Sequence, residues 1–188
     1  MARPASSIDT HGVNSIRGFS WRWAAASTLC VVLLASTVPA HAHQPVQLTS
    51  ADSTPASGPL LVDGSVSFAV YASVRKGQTR GFRVGLTAKD KITVQLLIPD
   101  TAPANKLSTA QLPSITVVDP AGKKTTMKIT ERTPFFEPYT GTSYLYLSRL
   151  AEPARAGIYQ VTVKGNSARN IPVVVGVGYR EVPGEVRD

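Results

Sequence analysis

The sequence predicts an all-β protein: a single β-sandwich of about eight short strands, jelly-roll or immunoglobulin-like, preceded by a signal peptide. Three observations carry this expectation. Short runs of alternating apolar and polar residues recur at close intervals. Between them fall turn-forming residues, with 14 Gly and 14 Pro in a chain of 188. No window of ten or more residues carries an apolar stripe at helical spacing. The hydrophobic fraction of 43% and charged fraction of 17% belong to a globular chain and exclude a disordered one. One Cys excludes a disulfide scaffold and a zinc ribbon.

Residues 1–42 have the three parts of a secretory signal. Arg3, Arg17 and Arg22 precede an apolar run at 24–38 (AAASTLCVVLLASTV), which Pro39 and the small-residue sequence Ala40-His41-Ala42 close. The run is shorter than the ~20 residues a membrane span requires, so cleavage is expected instead of anchoring. Cys30 lies inside that run and leaves with it. Removing residues 1–42 discards three arginines and one aspartate, so the formal charge falls only from +8 to +6. The basic balance therefore belongs to the folded domain.

Residues 43–60 are polar, rich in Ser, Pro and Ala, and read as a flexible arm. The sandwich is expected over 61–182, with a short tail at 183–188. Its first strand, 65–74 (SVSFAVYASV), sets Val66, Phe68, Val70 and Ala72 against Ser67, Tyr71 and Ser73. Strands follow at 80–87 (RGFRVGLT) and 91–98 (KITVQLLI). A hairpin joins 114–118 to 124–130 through Asp119-Pro120-Ala121-Gly122, where Pro presets φ and Gly accepts a left-handed position. Segments 143–147, 157–164 and 171–179 complete the eight.

Residues 71–98, the VVDPAG of 117–122 and the AGIYQVTV of 156–163, taken in order, resemble bacterial pre-peptidase C-terminal type domains. The resemblance spans about 65–164 and implies a small secreted jelly roll, a non-catalytic module that binds polysaccharide or protein.

Catalytic chemistry has little to draw on. There is no G-x-S-x-G elbow, and after cleavage neither a Cys nor an internal His remains. Glu131 and Glu137 flank a Thr-Pro-Phe-Phe loop and form a conceivable carboxylate pair. The acids are otherwise scattered singly, unlike a calcium loop. Gly176-Val177-Gly178 lies within a strand pattern and does not open a helix, so no phosphate cradle is expected. No cofactor and no enzymatic activity are expected.

The candidate binding residues are an aromatic loop, Phe135, Phe136 and Tyr139 with Tyr144 and Tyr146 behind it, and the basic turn Arg75-Lys76. Rings on a loop stack on sugar faces or anchor a protein partner, and cationic turns meet acidic envelope polymers. The expected partners are cell-wall polysaccharide or an envelope protein. Nucleic acid is not expected, because no strand interleaves aromatic and basic residues on one face. The alternative is copper handling through His43, which cleavage after Ala42 would make the mature N-terminus. Against it, no second His survives cleavage, and Pro45 lacks an amide nitrogen. Mass spectrometry of the exported protein should find His43 at the N-terminus; retention of residues 1–42 would disprove the signal.

Overall fold

The structure, a computed structural model, describes residues 43–138 and 140–188. The expected signal at 1–42 and the candidate Tyr139 lie outside the described residues. In chain order the strands are β1 (Gln44–Gln47), β2 (Leu60–Leu61), β3 (Phe68–Val74), β4 (Thr79–Leu86), β5 (Lys91–Pro99) and β6 (Ser114–Val118). They continue with β7 (Lys124–Thr126), β8 (Thr133–Glu137), β9 (Thr142–Pro153), β10 (Gly157–Lys164), β11 (Ile171–Val177) and β12 (Val186–Arg187). Two mixed six-stranded sheets result, ordered β1-β3-β11-β5-β9-β8 and β12-β2-β4-β10-β6-β7.

The eight alternating segments of the sequence are β3 to β7 and β9 to β11. Their antiparallel pairing is nested: β3 with β11, β4 with β10, β5 with β9, and β6 with β7. Successive pairs lie in alternate sheets, so the chain is one long hairpin wrapped on itself. That is the jelly-roll member of the two expected sandwich types. It follows from the pattern of the strands, since each is too short to bury its apolar side without the opposite sheet.

The two inner faces supply the core. From the first sheet come Phe68, Val70, Ala72 and Val74, then Ile92, Val94, Leu96 and Ile98, then the odd-numbered residues 171–177. Phe82, Val84, Ile115, Val117, Tyr159, Val161 and Val163 face them from the second. Just after β11, Gly178 adopts φ +79°; a Cβ there would lie 1.9 Å from the Val66 carbonyl oxygen.

Outside the nested hairpin the expectation needs correcting. Residues 43–60 are not a flexible arm. Strand β1 runs parallel to β3, with Val46 and Leu48 buried in the core. The following loop is fastened to β4: the Gly81 amide donates to the Asp52 carbonyl, and the Arg83 guanidinium to that of Gly58. The sequence hides this strand because only Val46 of its four residues turns inward, and backbone pairing to a distant strand leaves no local pattern. Nor is 183–188 a free tail, since β12 pairs with β2 and the Gly184 amide donates to Gln44 Oε1. The sandwich therefore extends from β1 to β12, beyond the expected limits of 61 and 182.

No helix among the described residues is long and apolar enough to cross a membrane. Leu48→Ala should lower stability by ~2–4 kcal/mol, the usual cost of truncating a buried leucine. An unchanged urea midpoint would show that β1 does not dock.

Candidate functional site

The candidate surface begins with an irregularity. Strands β5 and β9 pair in step as far as Leu96 with Ser148, and the next pair is Leu97 with Tyr146. Leu147 is the extra residue of a β-bulge. The bulge reverses the phase of β9. Without it, Tyr146 and Tyr144 would share Ser148's inward direction. With it, Leu145 and Leu147 enter the core, and both tyrosines stand on the outer face of the sheet.

They meet other rings there. Tyr71 of β3 and Phe135 of β8 occupy the same face, and the four aromatics help to line one shallow groove. The Phe135 and Tyr146 rings lie 5.3 Å apart, tilted by 48°. Ala69, Gly176 and Gln95 are cross-strand neighbours in the floor. A Cβ on Gly176 would come 3.3 Å from Gln95 Oε1, so glycine keeps this floor low. Leu97 and Ala69 are buried yet lie outside the core cluster. Their cover comes from the outer face. The groove encloses only about 50 Å³, which suits a ligand laid along the rings better than one swallowed whole.

Polar groups stand around the rings. Glu137, at the end of β8, lines the groove and accepts hydrogen bonds at Oε2 from the amide and hydroxyl of Thr140. Burial, the neighbouring Tyr144 and the Glu137 carboxylate push the Tyr71 phenol above its ordinary value. Burial also raises Tyr146, with Arg149 opposing it and Glu131 adding to it. The Arg149 guanidinium lies 4.0 Å from the Tyr146 ring centroid and pairs with Glu131 at 3.2 Å.

The sequence-based candidates separate. Phe135 joins the groove, whereas its neighbour Phe136, 58% exposed, points to the other side of the sheet. The aromatic loop is in fact the β8–β9 hairpin, and only its tip, with Tyr139 outside the described residues, remains a turn. Arg75 and Lys76 are exposed in the β3–β4 turn, and the Lys76 amide donates to the Ser167 carbonyl. They do not line the groove. Tyr71 was missed as a site residue, although it is the one large side chain on the polar face of its strand.

His43 also lines the groove, and its Nδ1 lies 2.5 Å from Ser67 Oγ. A copper chelate through the terminal amine and Nδ1 would first have to break that contact. Among the described residues, no three His, Cys, Asp or Glu side chains gather in a way that could hold a metal ion. Glu131 precedes β8 and Glu137 ends it, six residues on, which at a strand's rise per residue is roughly 20 Å along the chain. A glycosidase pair stands no more than about 10 Å apart. A wider depression, lined in part by Val62, Asp63, Asp90, Ile158 and Arg180, has its charges engaged internally. Asp63 accepts from Ser65 and pairs with Arg180, while Thr87 donates to Asp90 and holds its carboxyl below the usual range.

In comparisons with known proteins, no family model and no curated protein matches this chain.

The raised tyrosines fix the sign of a pH effect. Folding favours their protonated forms, so their contribution is complete below the unfolded value of about 10 and is lost as pH rises through the folded values. Stability should fall above about pH 10, and by less in Tyr71→Phe. Identical alkaline unfolding curves for the two proteins would contradict this.

Proposed function

We propose that the protein is an exported, non-catalytic binding module of the bacterial cell envelope that holds a polysaccharide on the outer face of its first sheet. One observation carries this: the bulge at Leu147 brings Tyr144 and Tyr146 out beside Tyr71 and Phe135. An outward-facing row of rings on a rigid sheet is what sugar rings stack against, each face covering apolar C–H surface while the hydroxyls stay in water. The groove's shallowness favours a chain lying across it over a small enclosed substrate. Gln95 in the floor, with His43 and Glu137 also lining the groove, provides hydrogen-bonding groups.

The basic turn Arg75-Lys76 offers a second, weaker contact to acidic polymers of the envelope. Export rests on the composition of residues 1–42. The resemblance to secreted pre-peptidase C-terminal type domains supports the same role, since those are jelly rolls that bind without catalysing.

Retention on isolated cell-wall polysaccharide should fall about tenfold in Tyr71→Ala or Tyr144→Ala, equivalent to ~1–1.5 kcal/mol per ring. Phe136→Ala, on the opposite side, should bind like the parent. If Phe136→Ala loses binding while Tyr71→Ala keeps it, the groove is not the site. Retention on envelope protein but not on the glycan would replace polysaccharide with a protein partner.

A further inference from the structure

The groove's charge is opposite to that of the chain. Of the 17 Lys and Arg among the described residues (20 less the three in 1–42), none lines it, while one of the 11 acids there (12 less Asp9), Glu137, does. Among the described lining residues His43 is the one base, and its Nδ1 is already engaged by Ser67 Oγ. The guanidinium nearest in sequence to the tyrosines, Arg149, has its charge balanced by Glu131.

We infer that the glycan held in this groove carries free ammonium groups: amino sugars whose nitrogen is not acetylated, seated with the ammonium toward Glu137 and the ring faces of Tyr71 and Tyr144. This rests on the groove being a polysaccharide site. Three features point the same way. The face of an aromatic ring carries negative quadrupolar potential and attracts cations. The protein already uses its own groove ring in this manner, with Arg149 stacked 4.0 Å from the centroid of Tyr146. Glu137 is held in place by two donors from Thr140, so its carboxylate is fixed before any ligand arrives.

Burial is the main cause of the upward shift of Tyr71, and the Glu137 carboxylate adds to it. A uronic acid or phosphate polymer would set its anion against that carboxylate. Such polymers are directed instead to the basic turns at the ends of the sandwich.

The test is calorimetric titration of the mature protein, at a mildly acidic pH, with glucosamine oligomers and N-acetylglucosamine oligomers of equal length. The glucosamine series should bind about five- to tenfold more tightly, the scale of one partly desolvated cation–π and carboxylate contact. Glu137→Gln keeps an oxygen to accept from Thr140 and removes only the charge. It should abolish the preference, bringing the glucosamine series down to the affinity of the acetylated one. Equal affinities, or a preference for the acetylated series, would overturn the inference and leave the polysaccharide site standing. A Glu137→Gln loss equal for both series would also overturn it, assigning Glu137 a structural role. Failure of both series and of cell-wall polysaccharide to bind would remove the site itself.

Discussion

Each strand of the nested hairpin must send alternate residues into the gap between the two sheets, and nearly everything else in the molecule follows from that period of two. A strand whose phase slips by one residue would turn its entire apolar set to water. The core strands therefore carry Val, Ile, Leu or Phe at every second place, and pairing first with last and second with seventh closes the sheets over those side chains. The rule is broken once in the ladder between β5 and β9. There the extra residue Leu147 lets two consecutive positions, Leu147 and Ser148, both end up buried.

That break links the fold to the candidate site. Strand β9 is long enough to span both phases: Leu150 packs toward the core beyond the bulge, Leu145 and Leu147 enter it before the bulge, and Tyr144 and Tyr146 are released to the outer face. The arrangement has a cost. Ser148 Oγ is buried with no hydrogen-bond partner among the described residues, a condition that typically costs ~1–3 kcal/mol. A sheet optimised only for stability would have no reason to keep a bulge and an orphaned hydroxyl together. Bulges of this kind re-aim side chains, and here the side chains re-aimed are the two that complete the aromatic row.

The eight core strands were legible because their signal is local: alternation within five to ten residues, and turns with Pro or Gly between them. What escaped was non-local. Strands β1, β2 and β12 contribute one inward residue each, Val46, Leu61 and Val186, and are held by pairing with chain distant in sequence, so no window of sequence contains their reason for existing. Strand β8 was hidden by Pro134, which reads as loop but is tolerated because β8 lies at the sheet edge. The site was half legible. Phe135, Tyr144 and Tyr146 are close in sequence and were grouped together. Tyr71, more than sixty residues earlier, joins them only because β3 is separated from β9 by β11 and β5 alone. Phe136 was grouped with them by adjacency, yet adjacency along a strand is what places two side chains on opposite faces.

The charge of the chain shows the same separation between composition and place. A formal +8 suggests an affinity for polyanions, and the exposed turn of Arg75 and Lys76 is consistent with one. Lysine and arginine suit turns and edge strands, where their charges stay hydrated and discourage association between sheets. The outer face of the first sheet is a different environment. Its middle strands carry Ala69, Tyr71, Gly176, Val174, Gln95 and Leu97, none of them charged, so one carboxylate at its edge sets the sign of the local field. Net charge governs how the molecule approaches a charged surface; the lining of the groove would govern what the proposed site keeps there. In this protein the two have opposite signs, and a ligand bearing ammonium groups within an acidic polymer matrix would satisfy both.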